Sequence, residues 1–361
     1  MSQRDKLQIL RQRINELDEQ IQVLISERGM VAKQVADAKL EAGNHSAFYR
    51  PEREAQVLRR VIERNQGPFS NEEIARLFRE IMSACLALEQ PLTIAYLGPE
   101  GTFTQAAALK HFGHSVSTMP LAAIDEVFRE VESGTADYGV VPVENSTEGV
   151  VNHTLDMFMR STLKICGEVD IRVHQNLLSK TPELGNITKV YSHQQSFAQC
   201  REWLDTYLAG IERITVKSNA EAAKIASEEK GAAAIASEVA AGLYNLDIVK
   251  SNIEDDPDNT TRFLVIGKSL TPPSGVDKTT ILVSASNKPG ALWFLLQPFA
   301  DANISLTRIE SRPSRVGMWE YVFFMDIEGH ADEPRIAEAL KKLQQESSML
   351  KVLGSYPKAV L

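Results

Sequence analysis

The chain has 361 residues, 43% of them hydrophobic and 24% charged, with a formal net charge of −9. Its length calls for two or three domains rather than one core, and its composition is that of a soluble globular protein. The acidity argues against a general nucleic-acid binder, and no apolar run approaches the ~20 residues of a membrane span.

The charged N-terminus does not read as a signal peptide. Cys85, Cys166 and Cys200 lie far apart with no CxxC pair. That pattern argues against structural zinc and a disulfide framework, and fits a reducing cytoplasm. The charge is uneven. Residues 92–277 carry a net −10, whereas the segments on either side are close to neutral. Three units are therefore expected, at 1–91, 92–270 and 278–361.

Residues 3–42 lack proline and contain one interior glycine, Gly29. Leu7, Leu10, Ile14, Leu17, Ile21 and Leu24 step by three and four, which predicts a long helix with a heptad seam ended by Gly43. Pro51 starts a second helix, and Ser70 with Glu73 forms a capping box for a third that Pro91 stops. A helix of about 40 residues spans roughly 60 Å, too long for a small monomeric bundle, so dimerisation through the seam is expected. Arg28 and Lys39 are 11 residues apart, within about 20° on the helix and about 16 Å along it. Their stems could converge on one small anion, or they could be solvated surface charges on a coiled coil.

From residue 92 the period changes. Strands are predicted at 92–98, 137–143, 189–192, 211–216, 232–236 and 261–267. Helices fall between them at 105–112, 122–133, 196–208, 219–229 and 238–244. This alternation predicts mostly parallel α/β sheets, in one sheet or two lobes. Gly98–Thr104, Pro142–Gly149 and Asn259–Phe263 place small polar residues at strand ends, where open α/β sheets bind ligands. On these residues alone, helix N-capping is the favoured explanation of Asn-Ser-Thr. His193 is the best lone candidate base, with a structural role as the alternative. No Asp, Glu and His set has metal-ligand spacing, and no GxSxG elbow exists.

Thr271–Gly275 reads as a linker. Beyond it, strand 279–286, helix 290–301, strands 304–312 and 318–327, helix 333–345 and strand 349–356 give βαββαβ, a ferredoxin-like unit.

Three family resemblances follow this division. LRQRINELDEQI, ISER, VAKQVADAKL, PEREAQVL and LFREIMSACLALEQ resemble an all-helical chorismate mutase. The resemblance implies an intertwined dimer and a pericyclic rearrangement of chorismate to prephenate. It assigns Arg11 of a second copy, Arg28 and Arg53 to substrate carboxylates, Lys39 to the ether oxygen and Glu54 to the substrate hydroxyl. Glu89 stands where many members have Gln, and must be protonated to donate, so mutase activity favouring acidic pH is expected. Cys85 replaces a small Ser beside the substrate.

AYLGPEGTF, VVPVENSTEG, YSHQQS and NTTRF together resemble prephenate dehydratase. The implied fold is two α/β lobes, like periplasmic binding proteins, with the site in the cleft. Prephenate loses CO₂ and hydroxide to give phenylpyruvate, and aromatisation removes any need for a cofactor. Thr261 is the implied general acid. Asn145, Ser146, Thr147 and Gln195 orient the ring and hydroxyl, and Arg262 pairs with a carboxylate.

Asn287, Gly290, Ala291 and Leu292, with Glu310, Ser311 and Arg312, resemble the GAL and ESRP motifs of an ACT regulatory domain. This implies phenylalanine binding at a dimer interface and feedback inhibition. The order mutase, dehydratase, ACT resembles the bifunctional chorismate mutase/prephenate dehydratases of phenylalanine biosynthesis. The expected partners are chorismate, prephenate, phenylalanine and a second copy, with dimer or tetramer left open, and no metal, cofactor, nucleic acid or membrane. An amino-acid-binding regulator with a helical dimerisation module is the rival reading. It leaves the Arg, Lys and Glu set of the helices without a use.

Overall fold

The computed structural model describes residues 3–41, 49–147, 149–284, 288–313 and 321–360. Helices α1 (Gln3–Glu41), α2 (Pro51–Arg64) and α3 (Asn71–Glu89) form the first unit. Pro51 opens α2, and Ser70 and Glu73 make the capping box that starts α3. The expected stop at Gly43 lies outside the described residues. Gly29 is buried in α1, and a Cβ there would come 3.4 Å from Leu88 Cδ1, so the glycine sits where α1 and α3 approach closely. The N-terminal seam of α1 is uncovered: Leu10, Ile14 and Leu24 are 53%, 56% and 63% exposed.

The second unit has two lobes. Lobe one begins with β1 (Thr93–Leu97), α4 (Phe103–Phe112), β2 (Ser117–Leu121), α5 (Ile124–Ser133) and β3 (Tyr138–Asn145). It continues through β4 (Gly149–Val150), α6 (Asn152–Arg160) and β5 (Lys164–Arg172). The chain then crosses into lobe two. There it forms β6 (Asn176–Ser179), a 3₁₀ turn, β7 (Lys189–Ser192), α7 (Gln194–Gln199), α8 (Arg201–Tyr207) and β8 (Glu212–Thr215). Lobe two closes with α9 (Asn219–Glu228), β9 (Ala232–Ala236), α10 (Glu238–Tyr244) and β10 (Asp247–Lys250). The chain returns as β11 (Thr260–Gly267) to the first sheet.

Strand order is β2-β1-β3-β11-β5, with β4 on β3, in lobe one and β10-β6-β9-β7-β8 in lobe two. Both sheets are mixed, which corrects the mostly parallel expectation. β11 runs antiparallel to β3 and β5, and β6 antiparallel to β9 and β10. A strand returning from another lobe is not bound by the crossover that makes βαβ neighbours parallel.

The third unit is β12 (Asp277–Ser284), α11 (Ala291–Asp301), β13 (Leu306–Pro313), β14 (Tyr321–Glu328), α12 (Pro334–Glu346) and β15 (Met349–Pro357). Its sheet order is β13-β14-β12-β15, the ferredoxin-like arrangement.

The units share cores. Leu282, Val322, Phe324, Leu353 and Tyr356 of the third sheet pack with Leu155, Phe158, Ile165, Leu264 and Ile266 of lobe one. Gly354 permits this: a Cβ there would lie 2.1 Å from the Ile165 carbonyl oxygen, so only glycine lets β15 lie against β5. The helical unit docks through Tyr49, which packs on Phe112 and Tyr138. Arg59 Nη2 donates to the Val276 carbonyl at 2.8 Å, tying α2 to the linker.

Candidate functional site

Two cavities gather most of the expected residues. The first, of about 390 Å³, lies among the three helices. α1 supplies Arg28 and Lys39, α2 supplies Arg53 and Glu54, and α3 supplies Cys85 and Glu89. The shared helical face read from the 11-residue spacing is therefore the face that lines the cavity. Val31, Val35, Val57, Met82 and Leu86 make its apolar walls. Tyr49 and Arg50 also line it and have no signal in the helix pattern.

Arg11 is absent from this lining and lies on the exposed part of α1. It is 17 residues before Arg28, about 25 Å along the axis. Burial raises the Glu89 carboxyl pKa, and Lys39 and Arg28 pull against that rise without cancelling it. Glu54 is also raised by burial, opposed by Arg79, whose Nε lies 3.2 Å from Glu54 Oε1. Arg79 is in turn held from the next unit, since its Nη1 donates to the Lys110 carbonyl at 2.7 Å.

The second cavity, about 320 Å³, lies between the lobes. Thr261 at the start of β11 and Asn145 at the end of β3 face each other in register and both line it. Asn145 Nδ2 donates to Thr261 Oγ1 at 2.8 Å and lies 2.8 Å from Asn259 Oδ1. With its oxygen accepting from Asn145, Thr261 has its own hydroxyl proton to offer a ligand.

Gln195 lines the cavity from α7. Thr147 and Ser146 do not. Thr147 Oγ1 donates to Asn145 Oδ1 at 2.7 Å and so orients that amide. Ser146 Oγ accepts from the Thr260 backbone N–H at 2.9 Å and fastens the loop to β11. His193 lines the cleft, and its Nδ1 accepts from the Gln195 N–H at 3.4 Å as the N-cap of α7, in line with the structural alternative.

Sequence reasoning missed Gln175, Ser196, Gln199 and Asn219. Gln175 Nε2 donates to Ser196 Oγ at 3.1 Å and to Gln199 Oε1 at 3.0 Å, and Asn219 Nδ2 donates to Ser196 Oγ at 2.7 Å. Ser196 ends the YSHQQS run and Gln199 lies about one helical turn beyond Gln195, which is the signal that could have found Gln199. Ser237 Oγ donates to the Gly101 carbonyl at 3.0 Å and links the lobes across the cleft.

Arg262 corrects an expectation. It does not line the cleft, because successive side chains of a strand point to opposite faces and Thr261 occupies the cleft face. Arg262 Nη1 lies 2.6 Å from Asp326 Oδ2, Nη2 donates to the Tyr356 hydroxyl at 3.0 Å, and Nε donates to Glu168 Oε2 at 3.1 Å. Burial disfavours its charge, but Tyr356, Asp326 and Glu168 more than compensate, so its pKa stands above the ordinary guanidinium value. Lys217 is the one Lys or Arg among the described residues lining the cleft.

In the third unit Gly290 has φ +78° and caps α11, which Ala291 and Leu292 begin. Asn287 lies outside the described residues. Glu310, Ser311 and Arg312 are on β13, separated from β12 by β14. Arg312 pairs with Asp156 and Asn152 of α6. Among the described residues no group of His, Cys, Asp and Glu is placed to hold a metal, and no helix is long and apolar enough to cross a membrane.

Comparison with known proteins matches each unit. Residues 10–90 match the chorismate mutase type II family, 94–270 the prephenate dehydratase family and 279–345 the ACT domain family. A bifunctional chorismate mutase/prephenate dehydratase of Pseudomonas aeruginosa is 59% identical over 365 residues, covering 100% of both chains. One of Aquifex aeolicus is 48% identical, covering 99% of both.

Among solved structures, the prephenate dehydratase of Arthrobacter aurescens in complex with L-Phe is 34% identical with a TM-score of 0.68, covering 74% of this chain and 90% of that one. GqqA, described as a novel type of quorum quenching acylase, is 31% identical with a TM-score of 0.69, covering 74% and 98%. With all three units matched in order and a relative alike over its whole length, the chain belongs to the family of bifunctional chorismate mutase/prephenate dehydratases.

Proposed function

We propose that the helical cavity rearranges chorismate and that the interlobe cleft converts the resulting prephenate to phenylpyruvate. The units are bounded at 1–91, 92–270 and 278–361. The observation that carries the first assignment is the convergence of Arg28, Lys39, Arg53, Glu54, Cys85 and Glu89 on one cavity. Arg28 and Arg53 hold carboxylates, Lys39 and protonated Glu89 donate to the ether oxygen, and Glu54 accepts from the hydroxyl. No bond to the protein forms. Catalysis comes from holding a reactive conformer and stabilising charge on the departing oxygen.

Arg11 arrives from a second copy of the chain, packed along the exposed seam of α1. The Leu and Ile of that seam are about half exposed, so burying each contributes about 1 kcal/mol, which favours two copies joined there.

In the cleft, the bond from the ring to the carboxylate carbon breaks and CO₂ leaves. Its electron pair enters the ring and expels the hydroxyl, which departs as water. Thr261 offers its proton to that oxygen, and one proton from solvent balances the reaction. Asn145 fixes Thr261, and Gln195, Gln175 and Gln199 surround the ring. Lys217 and the N-terminal ends of α4 and α9 supply positive potential for the substrate dianion. Phenylalanine binds the third unit at an interface between copies, through Gly290–Leu292 and Glu310–Arg312, and inhibits the dehydratase. Three buried free cysteines accord with a reducing, cytoplasmic setting. Intersubunit complementation tests the shared mutase site. Arg11→Ala and Arg28→Ala chains, each inactive, recover up to about a quarter of the wild-type mutase rate when mixed. No recovery in mixed dimers contradicts a site built from two chains.

A further inference from the structure

The pair Thr261 and Asn145 looks into the cleft, and the adjacent register pair, Arg262 and Glu144, looks the other way. That second pair is gripped by the third unit. Arg262 meets Asp326 of β14 and Tyr356 of β15. Glu144 Oε2 lies 2.9 Å from Arg308 Nε of β13. Lys278 of β12 reaches Glu168, the remaining partner of Arg262, at 2.9 Å, and Thr280 of β12 donates to Asp326 at 2.7 Å.

All four strands of the third sheet thus hold the back of the two residues next to Thr261 and Asn145. Asp326 and Glu168 are almost fully buried in these pairs, and Arg308 is largely buried against a Glu144 that keeps 39% exposure. Buried ion pairs have narrow geometric tolerance, so a shift of the third sheet cannot be absorbed by side-chain rotation alone. β13 also carries Glu310 and Arg312, which alternate on the same face as Arg308. Movement at that motif therefore moves Arg308.

We propose that Arg262 and Glu144 are positioning residues through which the ACT unit sets the placement of Thr261 and Asn145. This rests on the reading of Thr261 as proton donor and of the third unit as the phenylalanine site. When phenylalanine favours one placement of the third sheet, the Arg308–Glu144 and Asp326–Arg262 pairs carry that placement through the β3–β11 ladder to the cleft. The coupling is reciprocal, so a ligand in the cleft changes phenylalanine affinity by the same factor.

The test uses full-length Glu144→Gln and Arg308→Met, with mutase turnover of the same preparations as the folding control. Phenylalanine binding is measured by calorimetry, and dehydratase kcat and KM are measured with prephenate at zero and saturating phenylalanine. Phenylalanine binding within threefold of wild type, with maximal inhibition reduced at least fivefold in both variants, is the expected result. Inhibition of wild-type extent in either variant overturns the proposal. Arg308→Lys restores inhibition if the ion pair carries the effect, which a merely structural loss does not predict. Two controls separate this from the reading beneath it. If Thr261→Ala keeps normal turnover, the cleft assignment fails. If wild type binds no phenylalanine, the effector assignment fails.

Discussion

Arg79→Met isolates the ion pair behind the mutase cavity. Ionised Glu54 is the stronger acceptor for the substrate hydroxyl, yet burial pushes its pKa up and Arg79 alone is seen to oppose that rise. The neighbouring groups cannot replace it. His111, hydrogen-bonded to the Tyr49 hydroxyl, is held neutral by burial, its pKa lowered to about 3. Arg50 is paired with Glu52 and Lys358 with Glu328. Arg53 lies on the exposed side of the cavity.

Removing one partner of a buried pair costs about 3–5 kcal/mol. At 1.4 kcal/mol per tenfold, that disfavours ionised Glu54 by about two to three and a half powers of ten. Since the active form is the deprotonated one, the loss is greatest in acid and shrinks as pH rises. Mutase kcat/KM of Arg79→Met is expected to fall by about 100-fold or more at the acidic end of the profile, and by progressively less as pH rises. Dehydratase turnover on supplied prephenate stays within about twofold of wild type, and Arg79→Lys recovers most of the mutase. A pH profile parallel to wild type would refute the reasoning.

Three further outcomes follow from the same geometry. Wild-type mutase should show a bell-shaped pH profile. Its alkaline limb comes from protonated Glu89, whose raised pKa means the donor is present in acid and lost as pH rises. Glu89→Gln should remove that limb, and a rate flat or rising from pH 5 to 8 in wild type would sink the donor role. Gly354→Ala, whose methyl would collide with the Ile165 carbonyl, should cost at least about 1–3 kcal/mol in urea unfolding. Gly242→Ala in α10, with nothing near the added Cβ, serves as its control and should stabilise by up to about 1 kcal/mol. Leu17→Lys with Ile21→Lys on the α1 seam should lower mutase activity and reduce the size of the assembly by light scattering. An assembly of wild-type size with a wild-type mutase rate would mean the seam is not the interface.

Much of this molecule is legible from short-range pattern. The steps of three and four in α1, the capping box at Ser70, and the βαββαβ order of the last unit are local signals, and the elements lie within a few residues of their expected bounds. The motifs led to Thr261, Asn145 and Gln195 because these stand at strand and helix ends. What escaped was set by tertiary context. β2 reads STMPL, half-exposed with a proline, and has no strand alternation to detect. The predicted helix 196–208 is two helices meeting near Cys200.

Gln175 and Gln199 become site residues only when the crossing segment and α7 meet. Arg262 was misplaced because a motif names neighbours in sequence, whereas a strand sends neighbours to opposite faces. Counting charge segment by segment also hid a balanced cluster that spans two segments, Arg262 and Glu168 with Lys278 and Asp326, at the boundary with the ACT unit.

The most direct test of two separate sites in one chain is a time course from chorismate, following chorismate, prephenate and phenylpyruvate in Lys39→Ala and Thr261→Ala. Thr261→Ala should consume chorismate at the wild-type rate and accumulate prephenate without phenylpyruvate. Lys39→Ala should leave chorismate untouched yet convert supplied prephenate normally. Loss of both activities in either variant, or phenylpyruvate formed at the wild-type rate by Thr261→Ala, would contradict the assignment.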